Sequence, residues 1–243
     1  MRVLIISDIH ANLNALEAVL AATEKFDAAW CLGDLVGYGP DPNECVERVR
    51  SLPGLQCLVG NHDKAALGEI DLNAFNPDAR AAVSWTQNAL SPSTREYLQN
   101  LPEAIEMGKY TLVHGSPRQP VWEYILDART ALLCFPYFAT SYCLIGHTHS
   151  PMIFSQEAEG GECKEKKPRN GERLILDNLR YIINSGSVGQ PRDGNPEASY
   201  AVLDFGAAVW ELRRVPYDVT ATQLRMAGFD MPERLIARLT YGW

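Results

Sequence analysis

The stretch Arg2-Val3-Leu4-Ile5-Ile6-Ser7-Asp8-Ile9-His10 sets the pattern for the whole chain. An apolar run that stops abruptly at a carboxylate and an imidazole two residues apart reads as a buried strand delivering two ligand-type side chains at its C-terminal end. The design recurs. Residues 28–32 run into Gly33-Asp34, 55–59 into Gly60-Asn61-His62-Asp63, 110–113 into His114, and 142–145 into Gly146-His147-Thr148-His149. Where strands run mainly parallel, residues just past their ends gather on one rim, which is where open α/β sheets place ligands. The expectation is that five strand ends converge.

A lone histidine past a strand is ordinarily a capping or hydrogen-bonded structural residue. Here the chain has five histidines in all, His10, His62, His114, His147 and His149, and every one follows an apolar run. Together with Asp8, Asp34 and Asn61 they form a register that the structural explanation does not predict.

Working outward, Asn12 caps a helix whose apolar positions Leu13, Leu16, Val19 and Leu20 recur at helical spacing. Residues 2–32 are therefore a strand, helix, strand unit with parallel pairing and a right-handed crossover. Asp41, Pro42 and Glu44 mark a second helix start, by cap, first-turn proline and first-turn acid. Residues 64–100 read as helical, with starts at Asn76-Pro77 and Ser91-Pro92, and form a cap-like segment beside the rim. Tyr38, Phe75 and Trp85 become candidates for a substrate-facing wall, and packing in the core is as good an explanation for each. Residues 104–107 and 110–113 form a hairpin pattern. Arg118, in the loop after His114, is a candidate for bidentate contact with a phosphate, against the plainer reading of a solvated or ion-paired arginine.

Residues 127–138 fit another helix. The short strands at 152–156, 173–176, 181–184, 198–205 and 207–213 resemble an antiparallel second sheet, with 157–172 a mobile hairpin loop. The Gly-rich piece 185–193 is a weak candidate for a phosphate cradle. Thr220 and Pro232 open the last helices, expected to cover the core from outside. Two facing sheets flanked by helices make one domain over residues 1–243.

Composition narrows the function. With 243 residues, 46% of them hydrophobic, the chain can fill one large core, and a net charge of -8 argues against an extended nucleic-acid face. No apolar run approaches the ~20 residues of a membrane span, and residues 3–6 are too short for a secretory signal, so a soluble, cytoplasmic protein is expected. The six cysteines have no CxxC spacing and fit buried thiols in a reducing compartment. Oligomeric state is left open.

Carboxylates, an amide and several imidazoles are too nitrogen-rich for magnesium or calcium and lack the thiolates of structural zinc. Mn, Fe, Zn, Co or Ni suit them. Eight candidate side chains exceed the needs of one ion, whereas two ions about 3.5 to 4 Å apart would use them, an arrangement suited to phosphoryl displacement.

The five segments Asp8-x-His10, Gly33-Asp34, Gly60-Asn61-His62-Asp63, His114 and Gly146-His147-x-His149 resemble the motifs of the calcineurin-like metallophosphoesterases, in order, across residues 1 to about 150. The resemblance is closest to the compact bacterial and archaeal phosphodiesterase-like members. It implies a four-layer α-β-β-α sandwich of two facing mixed sheets, with two divalent transition metal ions at one end. It also implies ligand sets: Asp8, His10 and His149 for one metal, Asn61, His114 and His147 for the other, and Asp34 bridging. Two divalent ions offset by two carboxylates leave a pocket positive by about two charges, fit for a small, anionic, nucleotide-like phosphate ester. The implied mechanism is in-line attack by a metal-bridging hydroxide, with His62 as general acid and Asp63 orienting it, a helix N-terminal carboxylate being an equal reading of Asp63. Retention of His62 favours diester cleavage. A phosphomonoesterase or nucleotide pyrophosphatase is the alternative, and a non-catalytic interaction scaffold the competitor from another class. Gly33-Asp34 is followed by Leu35-Val36 rather than the Arg-Gly of the protein serine/threonine phosphatases, which disfavours a phosphoprotein substrate.

Overall fold

A computed structural model describes residues 1–157 and 160–243. Its strands, in chain order, are β1 (Arg2–Ile6), β2 (Ala28–Cys31), β3 (Gln56–Cys57), β4 (Ala104–Met107), β5 (Tyr110–Val113), β6 (Tyr142–Ile145), β7 (Met152–Gln156), β8 (Cys163–Lys166), β9 (Arg173–Ile175), β10 (Arg180–Asn184), β11 (Ala198–Asp204) and β12 (Val209–Val215). The helices are α1 (Leu13–Ala22), α2 (Pro42–Arg50), α3 (Asn61–Leu67), α4 (Pro77–Ala89), α5 (Pro92–Gln99), α6 (Ala128–Cys134), α7 (Val219–Gly228) and α8 (Glu233–Tyr241).

Two six-stranded sheets result, in the orders β3-β2-β1-β11-β12-β9 and β4-β5-β6-β10-β7-β8. Each is mixed. In the first, β1, β2 and β3 are parallel, and β11, β12 and β9 continue antiparallel from β1. In the second, β5, β6 and β10 are parallel, with antiparallel β4 on one flank and β7 and β8 on the other.

The period-2 geometry of β1 shows how the layers stack. Val3 and Ile5 point between the sheets, against Trp30, Leu112, Leu144, Ile183 and Trp210. Leu4 and Ile6 point outward, against Leu16 and Val19 of α1 and Val46 and Val49 of α2. The outer face of the second sheet, with Cys143, Ile145, Phe154 and Ile182, packs on Ala131 and Cys134 of α6 and on Phe135. Three apolar interfaces therefore separate four layers, helix, sheet, sheet, helix, as expected. A fourth cluster joins Tyr38, Phe75 and Val83 to Met226, Leu235 and Leu239.

Several local expectations change. The late strands do not form an antiparallel sheet of their own: β7 and β10 extend the second sheet, while β9, β11 and β12 extend the first. The segment 157–172 is not simply a loop, because its residues 163–166 pair with β7 as an edge strand; positions 158 and 159 lie outside the described residues. The strand expected at 55–59 shrinks to two residues, since Val59 N–H turns away to the Pro102 carbonyl at 3.0 Å. The helix expected at 127–138 ends at Cys134 and tightens into a 3₁₀ turn around Pro136. The helix starts at Asn76-Pro77 and Ser91-Pro92 form as expected, each cap oxygen accepting the backbone N–H three residues on. α7 packs over α1, and α7 and α8 together sit beside Tyr38 and α4, which brings them to the rim. All six cysteines are unpaired thiols. No helix among the described residues is long and apolar enough to cross a membrane.

Candidate metal centre

β1, β2 and β3 of one sheet and β5 and β6 of the other all end on the same rim. Two groups of donor atoms form there, each within 4.8 Å: Asp8, His10, Asp34 and His149, and Asp34, His114 and His147. Each group draws on both sheets and Asp34 belongs to both. Its Oδ2 lies 3.5 Å from His10 Nε2 and 3.3 Å from His114 Nε2. Asn61 joins the second group, its Oδ1 lying 3.1 Å from His114 Nε2.

Each of four imidazoles is held by a backbone carbonyl through one ring nitrogen. His10, His114 and His149 donate from Nδ1 to Val36, Leu32 and Gln190 at 3.1, 2.8 and 2.6 Å, and His147 donates from Nε2 to Trp122 at 3.1 Å. A nitrogen that donates fixes the tautomer, so the other nitrogen carries a bare lone pair, the state a metal requires. The carboxylates are anchored in the same manner. His62 N–H donates to Asp34 Oδ1 at 2.8 Å, and His147 N–H reaches both oxygens of Asp8 at 3.2 and 3.1 Å. Among the described residues the buried Asp34 Oδ2 has no hydrogen-bond partner. A buried carboxylate oxygen left so costs free energy unless a cation meets it, so the donor set fits divalent ions.

The backbone is strained to reach this arrangement. Nine described residues other than glycine have positive φ, and Asp8, His10, Ala11, Asp34, Tyr38, His147 and His149 make seven of them. Gly60 supplies space: a Cβ there would lie 2.1 Å from Asp34 Oδ1. Electrostatics follow from packing. Burial pushes the Asp8 carboxyl above the usual carboxylate range. Burial pulls Asp34 the same way, but His114, His62 and His10 around it hold it well below that range. Burial would lower His114, and the Asp34 and Asp8 charges instead lift it to about 9.

His62 differs from the other four. Its ring makes no hydrogen bond among the described residues, Nδ1 is buried without a partner, and burial draws it down to about 4. It is held by rings alone: Tyr38 at 4.3 Å, His10 at 4.9 Å and Phe75 at 5.1 Å between centroids. Asp63 does not touch it. Both Asp63 oxygens accept backbone N–H groups, of Val36 at 3.0 Å and Gly60 at 2.9 Å, tying the loop after β2 to the start of α3. That is the helix N-terminal alternative, not imidazole orientation. Arg118 is likewise occupied, its Nε donating to Glu123 at 3.0 Å and its Nη2 pairing with the same carboxylate. Tyr38 and Phe75 do face the site through His62, whereas Trp85 packs at a 45° tilt on Phe229, centroids 4.9 Å apart.

Sequence reasoning missed Arg192, Gln190, Trp122 and Tyr124. The Gly-rich piece 185–193 does reach the rim, but its N–H groups go to protein rather than forming a cradle. Val188 and Gly189 donate to the Ser7 and Asp8 carbonyls at 3.0 Å each, and Gln190 N–H to Ser187 Oγ at 2.8 Å. Gly189 is required there, because a Cβ would lie 1.8 Å from Ile9 O. From this loop Arg192 places its guanidinium 5.6 Å from the Tyr38 ring centre. Tyr124 stacks on His147 at 3.8 Å. The Gly-Ser-Gly-rich composition was the available signal for the loop; none pointed to Trp122, which acts through its carbonyl.

Comparison with known proteins agrees with this geometry. A family model described as calcineurin-like phosphoesterase superfamily domain matches residues 1–208. An uncharacterised protein of Methanocaldococcus jannaschii is 36% identical over 98% of this chain and 97% of its own. A symmetrical bis(5'-nucleosyl)-tetraphosphatase of Pectobacterium atrosepticum is 37% identical over 55% of this chain, which spans 48% of that relative's length. Among solved structures, a metallophosphoesterase from Sphaerobacter thermophilus has 48% identity and a TM-score of 0.93, covering 100% of this chain and 99% of its own.

Proposed function

Because the chain belongs to the calcineurin-like phosphoesterase superfamily and brings its Asp, Asn and His donors together at one rim, we propose that it is a two-metal phosphodiesterase for small, nucleotide-like esters, with His62 as proton donor. Membership makes it a metal-dependent phosphoric ester hydrolase. The observation that supports the finer reading is Asp34: one carboxylate shared by two donor groups, with a buried oxygen that makes no hydrogen bond among the described residues.

In this proposal Asp8, His10 and His149 hold one ion, Asn61, His114 and His147 the other, and Asp34 both. When bound, such a pair makes water a competent nucleophile near neutral pH and offsets charge on the phosphoryl oxygens. The protein does the rest. Carbonyl-anchored imidazoles keep their lone pairs aimed before any ion arrives. Tyr38 and Phe75 shield His62 from water and hold its ring without consuming its N–H. In the proposed role it is the imidazolium form of His62 that gives its proton to the leaving oxygen as negative charge grows there, and the burial that lowers its pKa makes that proton easier to give. An alkoxide gains most from that proton, which favours a diester.

Reconstitution of chelator-treated protein with Mn, followed by metal analysis and turnover of a nitrophenyl diester beside its monoester, tests the reading. The expected result is two ions per chain and faster diester turnover. Faster monoester turnover would make the protein a phosphomonoesterase. Fewer than one ion and no turnover would leave an interaction scaffold. The names of the tetraphosphatase relatives favour one further possibility, a nucleotide pyrophosphatase using the same ions.

A further inference from the structure

Beside the donor groups the rim carries three charges that the proton and metal roles above do not use. Arg192 donates Nη2 to Gln190 Oε1 at 2.8 Å, and Arg238 of α8 donates Nη1 to the same oxygen at 3.1 Å. Two guanidinium groups thus converge on one uncharged amide. Arg234, one turn earlier on α8, lines with Arg238 a cavity of ≈ 390 Å³ whose other wall is Asn76, Pro77 and Asp78 at the start of α4. Arg192 Nε is buried and has no hydrogen-bond partner among the described residues. Burial, then the charges of Arg192 and Arg234, bring the Arg238 guanidinium down to about 10.

Neighbouring arginines are neutralised: Arg214 pairs with Asp193 and Arg225 with Asp41. Among the described residues no Asp or Glu side chain lies within 4.0 Å of Arg192, Arg234 or Arg238, although Arg238 Nε donates to the Trp243 oxygen, and the one acid of the cavity wall, Asp78, stands farther off. Such crowding of like charge is unfavourable in the free protein, even in a chain of net charge -8. An anion reverses the sign, and the planar fork of arginine suits phosphate oxygens. The order in space is directional. Arg192 stands over Tyr38 at the rim, Arg238 follows through Gln190, and Arg234 lies farther along α8. α8 lies beyond residue 208, where the family match ends.

We propose that Arg192, Arg238 and Arg234 form a subsite for further phosphate of the substrate, so that the phosphorus attacked at the rim belongs to a nucleotide bearing a run of linked phosphates. The subsite rests on the phosphoesterase reading for its meaning but is measurable without it.

Isothermal titration of the chelator-treated protein with inorganic tripolyphosphate, beside orthophosphate, is the test. Tripolyphosphate binds at least about tenfold more tightly than orthophosphate, and Arg238→Ala and Arg234→Ala each weaken it about tenfold, the usual effect of losing one charge-assisted contact. Arg129→Ala, which removes the same charge from an exposed position on α6, leaves the affinity as it was. If Arg238→Ala proves unstable, Arg234→Ala decides, because Arg234 is exposed. Equal affinity for the two anions, no loss in the α8 variants, or an equal loss in Arg129→Ala overturns the subsite. Failure of the Mn-loaded protein to hydrolyse a nitrophenyl diester removes the proposed reaction instead, and the titration still decides whether the ridge holds a run of phosphates.

Discussion

Where β2, β3, β5 and β6 begin, the sheets part over a cavity of ≈ 590 Å³ lined by Trp30, Tyr110, Tyr142 and Phe205. Where the same strands end, they close over buried carboxylates and imidazoles. The first end is a large apolar hollow of the kind usually taken for a binding site. Its rings satisfy one another, Trp30 meeting Tyr110 edge-on at 5.2 Å and Tyr110 meeting Phe205 at 5.3 Å. Positive φ outside glycine occurs there only at Ala208. The second end has little hollow but holds unsatisfied buried atoms, shifted acid strengths and strained backbone. The difference teaches that unmet chemistry, rather than volume, marks the working end of this sandwich.

Substitutions should divide the two ends cleanly. Asp34→Asn is expected to do the most damage, lowering Mn stoichiometry and reducing turnover by more than the ~10–100-fold of a lost outer contact, because it weakens both donor groups. Metal analysis beside steady-state rates checks this, and undiminished stoichiometry would contradict a shared role. His62→Ala should lower turnover of an unactivated diester by roughly 10²–10⁴-fold while two ions still bind; a nitrophenyl diester, whose leaving group needs less help, should suffer less. A loss below about tenfold on the unactivated ester would remove the proton-donor role. At the opposite end, Trp30→Ala should destabilise by about 3–5 kcal/mol in denaturant unfolding and leave kcat per folded molecule intact. A catalytic defect there would break the division between the ends. Arg118→Ala should show the smallest effect, a slight fall in the denaturation midpoint because Glu123 keeps its Ser116 and Cys134 partners, with no change in KM.

How much the sequence disclosed follows from which interactions are local. The end of β1 and the five histidines could be read because a strand's apolar run and its terminus are contiguous. The starts at Asn76-Pro77 and Ser91-Pro92 were legible for the same reason. Sheet membership was not: β9, β10 and β11 are similar short runs, and what sends β10 to the second sheet and the others to the first is packing among residues far apart in the chain. Arg118 drew notice by proximity to His114, yet Ser116 and Cys134 direct Glu123 toward it and the pair closes on itself. Arg192 was hidden in a segment whose glycines suggested a ligand, although one of them serves contact with Ile9 O. Asp63 offered two roles to the sequence, and only the positions of Val36 and Gly60 choose between them.

Each donor group takes side chains from both sheets: His149 completes the one built on β1 and β2, and Asp34 completes the one built on β5 and β6. Any bound ion is therefore a rivet through the sandwich, and by mass action it stabilises only the assembled molecule. Halves of the chain that have folded but not yet docked possess no complete grip on a cation, so metal uptake reports that assembly is finished.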